Sequence, residues 1–156
     1  MSYPRILLKP KRARPFFGMH PWVYAGAIEA IEGDVKDGDV VDLVSHAGNF
    51  VARGFYNSRS KIRVRLHAWD AGVALDADFF RQRLRDAIHL RRNILRLTGS
   101  CRLVFSEADG LSGLTVDQFD QWAVVQFTSL ALAQRRDMLA DLLMELLQEL
   151  PSPPAP

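Results

Sequence analysis

Glu107 and Asp109 stand two residues apart in SEADGLSGLTVDQF (106–119). Carboxylates so placed could act as an acid–base pair, hold a metal ion, or shape a turn. Acid–base work needs a second group of matched pKa, and no histidine or lysine neighbours the pair. Aspartate before glycine is what a tight turn prefers, because the carboxylate bonds the local backbone. The stretch therefore reads as a hairpin turn.

The rest of the catalytic inventory is short. His20, His46, His67 and His89 are scattered, without metal-ligand spacing. Cys101 is the only cysteine, which excludes an internal disulfide and a cysteine-rich zinc site. It follows Ser100 with no base beside it to lower its pKa. The sequence contains no G-x-G-x-x-G, Walker loop or H-E-x-x-H. These residues predict no catalytic, cofactor-binding or metal-binding position in the chain.

The chemistry that remains is cationic. In KIRVRLHAW (61–69), Ile62, Val64, Leu66 and Ala68 alternate with Lys61, Arg63, Arg65 and His67. Successive side chains of a strand point to opposite faces, so one face joins a core and the other carries three cations and an imidazole. Like charges in a row repel, and an anionic partner relieves that repulsion. The bland alternative is cations protecting a sheet edge. Lys9, Lys11, Arg12 and Arg14 form a second basic cluster, and several cations acting together suit phosphates. Trp22, Tyr56 or Trp69 could stack on an unpaired base, or serve in a core.

The elements that carry these residues divide at Trp69-Asp70-Ala71-Gly72. Before it, short apolar runs alternate with turn signals: Ile6–Leu8, Ile28–Ile31, VVDLV (40–44), FVARGFY (50–56) and KIRVRLHAW, with Asp37-Gly38 and His46–Asn49 between them. That spacing predicts a small, strongly bent β-barrel or sandwich. KRARPFFGMHPW leaves room for one helical turn at most. After the divide, Asp76 caps a helix predicted to run to Leu97 and stop at Thr98-Gly99. Phe80, Leu84, Ala87, Ile88 and Leu95 share its apolar face. Arg81, Arg85, Arg92 and Arg96 share another stripe, solvated or RNA-facing, while Arg91 falls toward the apolar side without explanation.

Strands over 102–105, 114–119 and 122–129 follow, with Asp120-Gln121 as a hairpin turn. A last helix begins near Leu130. Its Leu139, Leu142, Leu143, Leu146, Leu147 and Leu150 follow a buried-face pattern, widened by Met138 and Met144. PSPPAP (151–156) ends it. The breadth of that apolar face predicts a partner, either a second copy or a further domain.

An apolar fraction of 48% and a charged fraction of 24% suit a folded protein. No apolar run is long enough to span a membrane, the N-terminus lacks a signal-peptide core, and the cytoplasm is the expected compartment. Net charge is +2, but residues 1–72 hold 11 Lys+Arg against 7 Asp+Glu, and residues 73–156 hold 9 against 11. A basic first half hints at nucleic acid.

HPWVYAGAI (20–28), GFYNSRSKIRVRL (54–66), DFFRQRLRDAIHLRR (78–92) and SEADGLSGLTVDQFDQWAVVQF (106–127) resemble the N-terminal half of RlmI-like 23S rRNA methyltransferases. That family moves a methyl group from S-adenosylmethionine to C5 of a cytosine in 23S rRNA. The resemblance implies an α+β chain. A small PUA-like RNA-binding β-barrel (1–72) would precede a central α+β domain (73–150) and a proline-rich tail (151–156). It also implies that the Rossmann-like methyltransferase domain, its cofactor loop and its cysteine are absent here, and Cys101 does not match that cysteine. S-adenosylmethionine would then belong to the full-length family and not to this chain. Ser112 stands where the family's E-A-D-G-L-P-G-L has proline, a change expected to loosen the loop.

The expected function is an rRNA-targeting region, with RNA contacts from Lys11, Arg12, Arg14, His20, Lys61, Arg63 and Arg65. The alternatives are a stand-alone PUA RNA-binding protein and an interaction protein that dimerises through the last helix.

Overall fold

The computed structural model describes residues 3–149; the proline-rich tail and Leu150 lie outside the described residues. The chain forms two compact units that divide between Leu75 and Asp76.

The first unit is built on six strands: β1 (Arg5–Leu8), β2 (Trp22–Tyr24), β3 (Ile28–Glu32), β4 (Val40–Val44), β5 (Phe50–Tyr56) and β6 (Ile62–Ala68). They form one sheet in the order β2-β6-β5-β4-β1-β3. The β1–β4 pair is parallel and the others are antiparallel. A short helix, α1 (Arg14–Phe17), carries proline in its first turn, where the missing N–H costs nothing. One core cluster draws Ile6, Phe16, Val23, Leu43, Tyr56 and Leu66 from five strands and α1. Ile28 of β3, at the far end of the sheet from β2, packs against the same cluster, so the sheet curls around it, as the predicted barrel requires.

Register irregularities in four of the five strand pairs supply the curvature. The tightest lies at Gly54. A Cβ there would sit 2.1 Å from the Arg65 carbonyl oxygen, so only glycine lets β5 and β6 approach.

A buried ion pair crosses the same sheet. Arg53 and Asp42 are directly opposite on β5 and β4, and the guanidinium bonds both carboxylate oxygens, at 2.7 and 3.2 Å. It also donates to the Val73 carbonyl oxygen and lies 4.4 Å from the Tyr3 ring. One arginine thus binds the segment after β6 back onto the sheet.

The second unit places helices on one face of a three-stranded antiparallel sheet: β7 (Cys101–Phe105), β8 (Leu114–Phe119) and β9 (Trp122–Phe127). The helices are α2 (Ala77–His89), α3 (Leu130–Gln134) and α4 (Arg136–Gln148), and α2 packs on β7 and α4. Asp76 caps α2 as expected, its carboxylate accepting the Phe79 N–H. Helix geometry then widens into a π turn over Leu90–Ile94. The extra residue in that turn shifts the side-chain phase. Phe80, Leu84, Ala87 and Ile88 are buried as predicted, whereas Leu95 is exposed and Arg91 is buried.

The last helix corrects another expectation. Leu139, Leu142, Leu143 and Leu146 are all buried within this chain, and α4 packs on α2. α2 therefore covers the inner leucines that were expected to seat a second copy, with Leu147 half-buried and Met144 exposed.

Candidate nucleic-acid interface

β6 lies inside the sheet, between β2 and β5, so its cations do not protect an edge. Lys61 is exposed at its start, and Arg63 and Arg65 are half-buried along it. His67 departs from the prediction: it is fully buried, packed edge-to-face on Phe55 at 5.2 Å. The β5–β6 register shift between Arg53 and Gly54 accompanies this inward placement. Alternation along a strand identifies faces, but it cannot reveal that the end of this strand, residues 66–68, is buried on both of them.

Arg65 is directly opposite Trp22 on β2, with its guanidinium 5.9 Å from the indole ring. His20 stands edge-on to Trp22 at 6.1 Å and to Phe16 at 6.3 Å. Its Nδ1 accepts the Trp22 backbone N–H at 3.3 Å, so in the neutral ring Nε2 carries the proton. The structure thus joins His20 and Arg65, two predicted contacts far apart in sequence, through one indole. The other named aromatics are committed: Tyr56 is buried, and the Trp69 indole donates to the Phe16 carbonyl at 2.7 Å, which fixes α1.

Lys11, Arg12 and Arg14 are exposed on the β1–α1 connection and the first residue of α1. Lys11 has φ of 63°, an uncommon left-handed conformation for a residue with a side chain. Lys9 is partly committed, since its ammonium donates to the Gly26 carbonyl at 3.1 Å. The same exposed turn, Ala25–Ala27, donates its Ala25 N–H to the Lys61 carbonyl, so Lys9 and Lys61 flank it from two sides. Arg63 acts together with Arg59 on Asp37. That carboxyl is held below its ordinary pKa, chiefly because the Ser58 backbone N–H bonds it, at 2.6 Å.

Sequence reasoning passed over Tyr24, Phe17 and Met19, which are 48%, 65% and 61% exposed beside these cations. Tyr24 was within reach of it, because Trp22 and Tyr24 flank inward-facing Val23 in β2. Nothing in the sequence marks Met19, whose φ of 63° turns the chain out of α1.

The acidic stretch in the second unit is structural. Ser106–Asp109 forms a 3-10 turn ended by Gly110 in the left-handed region, so the β7–β8 connection is a wider loop than the predicted hairpin. Asp109 is paired with Arg91 at 2.6 Å and also accepts the Phe105 backbone N–H. The Ser112 hydroxyl donates to Glu107 at 2.8 Å, a tie across the loop at the position where looseness was expected. The helical arginine stripe is also partly spent, since Arg81 pairs with Glu145 and Arg92 bonds the Leu97 carbonyl and Gln118. Among the described residues, no group of three or more metal-binding side chains comes together, and no helix is long and apolar enough to cross a membrane.

Residues 6–69 match the PUA-like domain family. The chain is 37% identical over 140 residues to ribosomal RNA large subunit methyltransferase I of Salmonella arizonae, and 36% identical to the protein of that name from Salmonella paratyphi C. Each alignment covers 88% of this chain and 35% of the relative, so the chain spans about a third of the length of these proteins. Two solved structures share its fold. One, assigned as a SAM-dependent methyltransferase from Streptococcus mutans, superimposes with a TM-score of 0.75 at 17% identity; it covers 95% of this chain and 38% of its own. The other, a methyltransferase complexed with SAH, gives 0.76 at 18% identity with the same coverage. The chain therefore carries a PUA-like domain and is a homologue of the N-terminal region of ribosomal RNA large subunit methyltransferase I.

Proposed function

We propose that this chain is the RNA-binding, rRNA-targeting region of a SAM-dependent 23S rRNA 5-methylcytosine methyltransferase. The observation that supports it most is the arginine-bearing strand inside a PUA-like sheet, in a chain aligned with the start of an rRNA methyltransferase. Lys11, Arg12, Arg14, Lys61 and Arg63 would supply phosphate contacts, which position RNA without reading its sequence. Arg65 and His20, joined through Trp22, would set the orientation of that surface. No glycine-rich loop joins a strand to a helix among the described residues. S-adenosylmethionine would then be held by the part of the relatives beyond the shared region.

The test is a titration with 23S rRNA fragments at several salt concentrations. Log affinity should fall linearly with log salt, and Lys61→Ala/Arg63→Ala and Arg12→Ala/Arg14→Ala should each weaken binding and flatten that slope. About 0.7 units of slope should go per lost contact on single-stranded RNA. Affinity that ignores both salt and these substitutions would refute the reading.

A further inference from the structure

With Leu139, Leu142, Leu143 and Leu146 of α4 buried, the second unit exposes large apolar side chains chiefly over residues 90–97 and on the outer face of its sheet. The pleat of β8 sends Leu114 and Val116 toward the helices and Thr115, Asp117 and Phe119 to the other side. Register extends this outer face across three strands. Phe119 is opposite Trp122, Asp117 lies between Arg102 and Val124, and Thr115 lies between Phe105 and Gln126. Phe105 and Phe119 are each 52% exposed, and Trp122 is 70% exposed. One exposed ring needs no explanation, but three on one face of a sheet mark a contact surface.

The polar groups of this face say what it fits. Arg102 and Asp117 are joined by two hydrogen bonds, at 2.8 and 3.0 Å, so the carboxylate at the centre of the face is neutralised. The same pairing holds the guanidinium 5.2 Å from the Phe105 ring. Thr115 and Gln126 offer a hydroxyl and an amide beside the rings. Arg92 bonds Gln118, which alternates with Phe119 and so lies on the helix side of the sheet, leaving Arg102 as the guanidinium of the outer face. Rings, a flat guanidinium and neutral hydrogen-bonding side chains are components by which an antiparallel sheet binds unpaired bases.

We propose that this outer face is a stacking platform for single-stranded RNA, separate from the cations of the first unit. Phe105 takes one base and the Phe119–Trp122 corner another, roughly 13 Å along the strands at 3.3 Å per residue. Thr115 and Gln126 meet base edges between them, and the Arg102 guanidinium lies beside the base on Phe105. The proposal rests on the reading that this chain binds RNA, and adds that part of its target is unpaired.

The whole chain is titrated with a fluorescein-labelled, unstructured ten-nucleotide RNA and with a blunt RNA duplex. Phe105→Ala, Phe119→Ala and Trp122→Ala should each weaken single-strand binding about tenfold. Duplex binding should stay unchanged, and each variant should keep the parent's melting temperature within a few degrees. Tryptophan emission should be quenched by the single strand in the parent, and much less in Trp122→Phe, which keeps a ring but removes the reporter. Unchanged single-strand affinity in all three alanine variants, with weakened binding in Lys61→Ala/Arg63→Ala, overturns the platform and leaves RNA binding standing. Absence of binding to either RNA overturns both. Ring substitutions that change the mass in light scattering, and not the RNA affinity, show a protein contact in place of an RNA platform.

Discussion

The Arg91 guanidinium lies 2.6 Å from the Asp109 carboxylate, with only 10% and 7% of the two side chains exposed. The other oxygen of the same carboxylate accepts the Phe105 backbone N–H. A π turn, the end of a strand and an acidic loop are therefore held by one carboxyl group.

Removing either partner leaves the other charge buried and unpaired. Arg91→Ala and Asp109→Ala should each cost about 3–5 kcal/mol, read from urea unfolding. An Arg91→Met/Asp109→Leu double variant should be less damaged than the sum of the singles, because no lone charge remains. Full additivity would show that the two side chains act independently.

Arg53 makes a comparable prediction for the first unit. Arg53→Lys keeps the charge but not the paired bonds to Asp42 or the reach to the Val73 carbonyl. Amide exchange over residues 70–75 should then quicken more than exchange in β4 and β5. Uniform quickening would mean that the arginine serves the sheet alone.

Gly54→Ala places a Cβ within 2.1 Å of backbone, where no side chain can yield. The expected cost is about 3 kcal/mol or more, seen as a loss of cooperative unfolding or of soluble protein. Gly26→Ala is the control, because a Cβ there meets nothing within 4 Å.

Acid should act through Asp37 and Asp117. Both carboxyls are held below the ordinary value of 3.8, Asp37 chiefly by the Ser58 backbone N–H and Asp117 chiefly by its hydrogen bonds from Arg102. A depressed carboxylate contributes stability that is fully present well above its unfolded pKa and lost as pH falls through the folded one. Melting temperature should hold above that range and drop below about pH 3.8. Asp37→Asn should make the drop shallower, and an identical acid limb in parent and variant would show that Asp37 contributes nothing to it.

The strands, the Asp76 cap and the turn at Asp37-Gly38 were legible because period-two alternation and cap chemistry are local signals. What escaped was set by neighbours distant in sequence. His67 alternates with cations but sits at the end of the strand that is buried on both faces. Leu95 leaves its expected apolar environment because one wide turn re-phases the helix, while Arg91 stays on the apolar side, paired with Asp109. The inner leucines of α4 meet α2, some sixty residues earlier, a pairing that periodicity alone could not place. For the candidate site, residue types pointed to cations, and only the β2–β6 register showed that His20 and Arg65 meet at Trp22.

The position of β1 carries a consequence for how the molecule is made. It is the first described strand, yet it lies between β4 and β3, with Arg5 in register with Asp42 and with Glu32. During synthesis Ile6 and Leu8 are made before either strand they pair with, first β3 and then VVDLV. Loop closure over that distance precedes any reward in contacts, so completion of this sheet waits on its earliest piece being recaptured. The opening strand is a latch and not a seed, and whatever binds Ile6–Leu8 in the meantime competes directly with folding.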